Sequence, residues 1–197
     1  MGFIRRILSS SVGIICLRKV AVHISPAESA SDYEAFATLI GAYTAWCRAR
    51  YAHDQWFVNA AFGHQSLDSE LHHLADKYGP PNGLALLARE NGDIVGCGAY
   101  LRIGPAICEM KRVFVTDSQK GKGIGRKLCE ALIAAARSES YEYMRLDTGN
   151  LLTEAIALYH SLGFSLCDPY SKYPDSLMPY LVFMEMPLTR TPSRPSS

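Results

Sequence analysis

Three glycines at alternating positions could form an anion-binding loop in the middle of the chain. Gly121, Gly123 and Gly125 separate an apolar, β-forming segment, Val113–Val115, from an apolar periodicity typical of a helix. Glycine lets a ligand approach the backbone N–H groups closely. A following helix adds its unpaired N–H groups and the positive end of its dipole. The segment therefore predicts a strand, loop and helix that together bind a phosphate or pyrophosphate.

Two familiar phosphate loops do not fit this segment. A P-loop, GxxxxGK[ST], would need glycine at position 126 and serine or threonine at position 128, but Arg126 and Leu128 stand there. The dinucleotide fingerprint GxGxxG would place its last glycine at Arg126, so it fits poorly as well. A plain tight turn without a ligand is the structural alternative.

The loop instead resembles the acetyl-CoA loop of the GCN5-related N-acetyltransferase (GNAT) family, usually written [QR]xxGx[GA]. Gly121 and Gly123 match this pattern, and Ser118 replaces its first residue. Two flanking stretches resemble the same family in the right order. Glu109–Val113 reads E-x-K-R-hydrophobic, and Ala155–Phe164 matches AxxLYxxxGF.

The resemblance implies an α+β fold with a mixed, mostly antiparallel central sheet flanked by helices. The sheet would splay beside the glycine loop, and the pantetheine arm of the cofactor would lie in the splay. The sequence pattern predicts seven strands at about 20–24, 84–88, 94–103, 107–116, 143–147, 164–167 and 180–186. Four helices are predicted, one capped by Ser31-Asp32, one from about 66 to 78, and others at 123–138 and 150–162. Residues 50–65 are aromatic without a clear period.

The resemblance further implies that acetyl-CoA, the cosubstrate, is bound by the strand, the loop and the helices that follow. The predicted cofactor-binding residues are Val113, Phe114, Val115, Lys120, Gly121, Lys122, Gly123, Ile124, Gly125, Arg126 and Asn150. Family members often have Asn at the position of Leu152, and Asn150 is the nearest substitute.

Two residues are predicted to move protons during acyl transfer. Tyr159 aligns with a family tyrosine that protonates the departing CoA thiolate, and a pKa near 10 suits that role. Glu109 is the predicted base that deprotonates the acceptor ammonium. Strand alternation would place Glu109, Lys111, Val113 and Val115 on one face, beside the acyl carbonyl. Alternatives are a packed aromatic at Tyr159 and a surface ion pair between Glu109 and Lys111.

The amino-acid composition limits the classes of partner that we expect for this protein. The formal net charge of +1 gives no indication of nucleic acid, and apolar runs are too short for a membrane span. The dispersed cysteines, without a CxxC pair, favour reduced thiols, and we predict no metal. A homodimer remains open. The aromatic-rich N-terminal half favours a small-molecule amine as the acceptor.

Three segments follow from this reading. Residues 1–19 are a basic, Ser-rich extension, either disordered or a targeting segment. Residues 20–187 form the N-acetyltransferase domain, and 188–197 form a disordered tail. The predicted location is cytoplasmic, with mitochondrial as the alternative. The alternative functions are a CoA-binding sensor without catalysis and an acetyltransferase acting on protein N-termini or lysines.

Overall fold

The computed structural model describes residues 21–189, and all of them build around one seven-stranded sheet. The strand order is β1-β2-β3-β4-β5-β7-β6, and every neighbouring pair is antiparallel except β4 and β5. The strands are β1 (His23–Pro26), β2 (Gly83–Glu90), β3 (Asp93–Arg102), β4 (Ile107–Val115), β5 (Tyr143–Gly149), β6 (Ser165–Leu166) and β7 (Leu181–Pro187). This mixed, mostly antiparallel sheet confirms the predicted fold class.

Six α-helices lie between residues 21 and 189 and flank the sheet. They are α1 (Ala30–Arg50), α2 (Gln55–His64), α3 (Leu67–His72), α4 (Leu74–Tyr78), α5 (Ile124–Ser138) and α6 (Thr153–Leu162). Helices α5 and α6 pack on one face through an apolar core that includes Leu128, Leu132 and Tyr159. Helices α1 and α4 pack on the opposite face around Phe36 and Tyr78. The sheet therefore separates two apolar cores.

Local signals in the sequence explain where several elements begin and end. Helix α1 starts after Ser29, whose hydroxyl accepts from the backbone N–H of Asp32 while the Asp32 carboxylate accepts from that of Ser29. This reciprocal capping box lies two residues before the predicted cap. Asn91 and Gly92 both have positive φ, 56° and 92°, as the tight hairpin between β2 and β3 requires.

The structure departs from the predicted elements at the aromatic segment and just after it. Part of residues 50–65 forms helix α2, which the apolar pattern did not reveal because its buried residues, Phe57, Val58 and Ala61, occur among exposed ones such as Trp56. The single helix predicted at 66–78 is divided at His73, whose φ and ψ of −131° and 31° are not helical. Both differences reflect tertiary packing that overrides local propensity.

The C-terminal end of the domain includes a residue that the sequence analysis placed in the tail. Leu188, which the sequence assigned to the tail, is buried and donates its backbone N–H to the carbonyl of Glu142. The predicted extension at 1–19 and the rest of the tail, apart from Thr189, lie outside the described residues. None of the helices between residues 21 and 189 is both long and apolar enough to cross a membrane.

Candidate active site

The sheet opens between its two parallel strands. Strands β4 and β5 pair only where Ile107–Glu109 meets Tyr143–Arg145. Beyond those residues β4 and β5 are no longer paired with each other, so a gap lies between their facing edges, while β4 stays paired with β3 and β5 with β7. The predicted splay is therefore present, and it lies next to the glycine loop, which follows β4 directly.

A β-bulge reverses the side-chain alternation of β4 within the splay. Arg112 has φ of 57°, and the pairing with β3 shifts between Cys97 and Ala99. Before the bulge, Lys111 points to the same side as Asp147 of β5. After it, Val113 packs against the α5 face. The predicted common face for Glu109, Lys111, Val113 and Val115 is therefore wrong, because the extra residue of a bulge breaks the alternation.

The loop after β4 presents a group of unpaired backbone N–H groups. Gly121 and Gly123 have φ of 79° and 78°, the left-handed region that favours glycine, and α5 begins directly afterwards at Ile124. Within the described residues, no backbone acceptor is recorded for the N–H groups of Gly121 or of 123–126. Unpaired N–H groups at a helix start suit a pyrophosphate, so this loop fits the phosphates of acetyl-CoA.

A cleft of about 670 Å³ runs from this loop into the splay, and we call it the cofactor cleft. Nine of the predicted cofactor-binding residues line it: Val113, Phe114, Val115, Lys120, Gly121, Gly123, Ile124, Gly125 and Arg126. Other elements contribute Tyr43, Trp46, Arg50, Gln119, Thr148, Leu152, Glu154, Ala155, Leu158 and Tyr159.

Two predicted cofactor residues are not part of the cleft lining. Lys122 donates to the Gln119 side chain and points toward Glu90. Asn150 accepts a hydrogen bond from the Tyr51 hydroxyl and donates to the carbonyl of Pro179. The structure therefore uses Asn150 to connect the start of α6 with α1 and the segment before β7.

Trp46 and Lys120 form the outer wall of the cofactor cleft. The Lys120 ammonium lies 4.0 Å from the centroid of the Trp46 ring and 2.6 Å from Asp117 Oδ1. This cation–π contact and ion pair hold the lysine beside the glycine loop, where a phosphate could compete for it.

Tyr159 lies on α6 at the inner part of the cofactor cleft. Its side chain is buried against Phe164, and its hydroxyl has no hydrogen-bond partner among residues 21–189. Burial raises the pKa of the Tyr159 hydroxyl well above its usual value. The group therefore stays protonated at neutral pH and is available as a donor to a group in the cleft.

A second, smaller cavity of about 70 Å³ opens on the other side of the splay. We call it the aromatic pocket. It is lined by Tyr43, Cys47, Tyr51, Phe57, Val58, Ala61, Phe62, Gln65, Met110, Lys111, Arg112, Asp147, Thr148, Gly149, Leu152 and Leu181. Tyr43, Thr148 and Leu152 line both cavities, so the pocket adjoins the inner end of the cofactor cleft.

Two carboxylates and a lysine form a buried cluster at the wall of the aromatic pocket. Lys111 Nζ lies 3.2 Å from Glu109 Oε2 and 3.3 Å from Asp147 Oδ1. Tyr170 donates its hydroxyl to Glu109 Oε1 at 2.9 Å, and Tyr173 donates to Asp147 Oδ2 at 3.1 Å. Asp147 lines the pocket, whereas Glu109 lies one layer behind it.

The two carboxylates differ in proton affinity. Burial raises the pKa of Glu109, and the neighbouring Asp147 adds to that rise. Burial also acts to raise the pKa of Asp147, but Lys111 and hydrogen bonds from its neighbours outweigh it and lower the pKa. Asp147 is therefore the ionised member of the pair, and Glu109 is the member that holds a proton more readily.

The floor of the aromatic pocket carries a second buried ion pair. Arg112 donates from Nε and Nη2 to the two oxygens of Glu70, at 2.7 and 2.9 Å. Burial opposes ionisation of Glu70, but Arg112 and Lys77 outweigh it and lower its pKa to about 2. The E-x-K-R pattern thus supplies three charged side chains, and sequence reasoning did not find their partners on α3 and β5.

The aromatic pocket is the part of the site that sequence reasoning did not assemble. Its walls come from α1, α2, β4, β5 and the start of α6 and β7. The sequence signal for this pocket was the aromatic run at 50–65. The sequence does not show where that run packs against the sheet. Trp56 at the edge of this region is 47% exposed and contacts Tyr180, which stacks on Phe57.

Comparison with known proteins agrees with the geometry. The sequence profile of the Acetyltransferase (GNAT) family matches residues 41–164. An uncharacterized N-acetyltransferase of Schizosaccharomyces pombe is 38% identical over 128 residues, which are 64% of this chain and 77% of that protein. The IAA acetyltransferase of Azospirillum brasilense is 37% identical over 124 residues, 61% of this chain and 79% of that one.

The fold also matches solved structures. The PaiA N-acetyltransferase of Thermoplasma acidophilum, solved in complex with coenzyme A, superimposes with a TM-score of 0.61 over 85% of this chain and 99% of that one, at 16% identity. The profile match covers the cofactor cleft and most of the aromatic pocket, and both relatives are named acetyltransferases. The chain belongs to the GNAT family of N-acetyltransferases.

Proposed function

We propose that this protein transfers the acetyl group of acetyl-CoA directly to the primary amine of a small molecule. The observation that carries the proposal is the meeting of two cavities at the splay, which share Tyr43, Thr148 and Leu152. One cavity begins at a loop suited to a pyrophosphate, and the other has aromatic walls and a carboxylate. A thioester at the shared boundary would be open to attack from the aromatic pocket.

The cofactor cleft holds acetyl-CoA, the acetyl donor. The N–H groups of the glycine loop bind the pyrophosphate, and the unpaired edge of β4 supplies backbone groups for the pantetheine arm and the thioester carbonyl. When bound, acetyl-CoA supplies the activated acyl carbon and a thiolate leaving group. Close positioning of donor and acceptor accounts for much of the acceleration expected of such a site.

Side chains of the protein accept a proton from the acceptor ammonium and donate a proton to the departing thiolate. The acceptor enters as an ammonium and loses a proton to the carboxylate pair, with Asp147 at the pocket and Glu109 behind it. The amine nitrogen then attacks the acyl carbon, and the carbon–sulfur bond breaks. The Tyr159 hydroxyl donates a proton to the departing thiolate sulfur, and the phenolate that remains takes the second proton of the attacking nitrogen. Glu109 therefore acts through Asp147 rather than on the substrate directly.

The small size of the aromatic pocket favours a small acceptor over a protein. Its volume is about 70 Å³, and its walls are mostly aromatic or aliphatic side chains. A protein tail usually needs an open surface groove, whereas a small molecule is held in an enclosed and largely apolar pocket.

Release of free thiol from acetyl-CoA tests this function. Wild-type protein is incubated with acetyl-CoA alone and with a panel of primary amines, amino acids and peptides. We expect thiol release that depends on a small amine, with the acetylated amine as the product. Binding of acetyl-CoA without amine-dependent release would indicate a sensor, and release with peptides alone would indicate a protein acetyltransferase.

A further inference from the structure

Gln65, directly after α2, carries an unsatisfied buried atom in the aromatic pocket. Its Oε1 is the one side-chain nitrogen or oxygen atom in the described residues that is itself fully shielded from solvent and lacks a hydrogen-bond partner. Buried polar groups are nearly always paired, so an exception calls for an explanation. Because Gln65 lines the pocket, a ligand there could supply the missing donor.

Neighbouring hydrogen bonds determine the orientation of the Gln65 amide. Gln65 Nε2 donates to Tyr173 Oη at 2.8 Å, and Tyr173 donates to Asp147 Oδ2 at 3.1 Å. A phenol has a single hydrogen, which here goes to the carboxylate, so its oxygen must accept from the amide NH₂. The amide oxygen is then the free end. The chain from Gln65 through Tyr173 to Asp147 places two acceptors in the same pocket.

The cationic side chains that line the pocket are already paired. Lys111 lies between Glu109 and Asp147, and Arg112 donates two hydrogen bonds to Glu70. A carboxylate on the acceptor would therefore have to compete with buried ion pairs. An ammonium group, with three donors and no acceptor, matches the Gln65 oxygen and the Asp147 carboxylate.

The rest of the pocket limits the size and polarity of the group that carries the ammonium. A volume of about 70 Å³ equals that of roughly two water molecules in the liquid, so it holds only a short chain of a few heavy atoms. The surrounding walls include Phe57, Val58 and Ala61, which are all buried and apolar.

We propose that the acceptor is a small primary ammonium ion on a short, uncharged apolar group, bound by Gln65 Oε1 and the Asp147 carboxylate. This substrate class rests on the proposed acetyl transfer. Asp147 is ionised at neutral pH because the hydrogen bonds and charge around it lower its pKa. The pocket thus selects against amino acids and against amines with a second charge.

A matched pair of amines tests the substrate class on the wild-type protein. Propylamine and 3-aminopropanoate have chains of similar length, and only the second carries a carboxylate. We expect kcat/KM for propylamine, measured by thiol release, to exceed that for 3-aminopropanoate by about 10-fold or more, the usual effect of leaving a charged group unpaired. A preference for 3-aminopropanoate or for a peptide overturns the substrate class and leaves acetyl transfer intact.

Substitution of Gln65 tests the ammonium contact. Gln65→Leu should raise KM for propylamine by about 10-fold, since a hydrogen bond to a charged group is lost, while KM for acetyl-CoA stays the same. Gln55→Leu is the matched control, because Gln55 is exposed on α2 and lines neither cavity. Calorimetric titration of the CoA-bound protein with propylamine measures the same contact without turnover.

The outcomes separate the two proposals. An unchanged KM and an unchanged calorimetric affinity in Gln65→Leu overturn the ammonium contact. Loss of thiol release with every amine in the wild-type protein overturns acetyl transfer itself, and the substrate class with it. If Gln65→Leu does not fold, the amine pair and the wild-type titration still decide the substrate class.

Discussion

The cofactor cleft and the aromatic pocket meet at the splay, but they are made from different kinds of groups. The outer part of the cleft is backbone, with positive φ at Gly121 and Gly123 and free N–H groups at the start of α5. The aromatic pocket is made of side chains from widely separated segments. Backbone binding tolerates side-chain change, whereas side-chain binding changes with each substitution. One half can therefore stay constant while the other acquires a new acceptor.

The largest effect is expected at the boundary between the two halves. Tyr159→Phe removes a hydroxyl and keeps the buried ring, so stability and CoA affinity should change little. Turnover should fall by about 10- to 10⁴-fold, the range for a lost proton donor. Stopped-flow or steady-state thiol release measures it, with Tyr141→Phe, which lines neither cavity, as the control. Full turnover in Tyr159→Phe would make Tyr159 a packing residue only.

A charge placed in the glycine loop should affect the cofactor half alone. Gly125 has room for a side chain, because a Cβ there would lie 3.7 Å from Leu158 and 3.8 Å from Val115. Gly125→Asp adds an anion in the first turn of α5, which favours the helix but repels a pyrophosphate. We expect CoA affinity, measured by calorimetry, to fall by about 10- to 100-fold.

Gly125→Ala fills the same space without charge and should bind CoA nearly as well as the wild type. Equal affinity in the Asp and Ala variants would mean that the phosphates bind elsewhere. The same substitution at Gly123 would be harder to interpret, because its φ of 78° strains any residue with a Cβ.

The smallest effect is expected at Glu109, one layer behind the aromatic pocket. Burial raises its pKa, so the base is protonated and inactive over a wider acid range than an ordinary glutamate. Glu109→Gln should lower turnover by about 10-fold at pH values where Glu109 is ionised and the amine is still an ammonium, and less at high pH, where more amine arrives neutral. The pH profile of kcat/KM measures this, and an equal loss at every pH would assign Glu109 to structure alone.

Nine of the eleven residues predicted to bind the cofactor line the cofactor cleft, because the determinants of this half are local. Gly121 and Gly123 must be glycine for steric reasons, and a glycine-rich turn before a helix has few other uses. Asn91-Gly92 was equally clear, since both positions need positive φ. Such positions can be recognised one segment at a time.

The aromatic pocket could not be predicted, for two physical reasons. Its residues come together only after α1 and α2 pack across the sheet, and local sequence does not specify that packing. The bulge at Arg112 also reverses the side-chain alternation that placed Glu109 beside Val113, and a non-glycine residue at φ of 57° leaves no mark in the sequence. The position of Tyr159 in the cofactor cleft could be inferred from a motif, while the partners of Lys111 and Arg112 could not.

The two tryptophans lie in different halves of the site, so the fluorescence of each can report on one half. Trp46 lines the cofactor cleft under the Lys120 ammonium, and Trp56, the other tryptophan of the chain, lies beside Tyr180 at the edge of the aromatic pocket. In Trp56→Phe protein, indole emission comes from the cofactor cleft alone. In Trp46→Phe protein, it comes from the acceptor side alone. The order in which donor and acceptor bind can thus be followed in real time, without dyes or radiolabel.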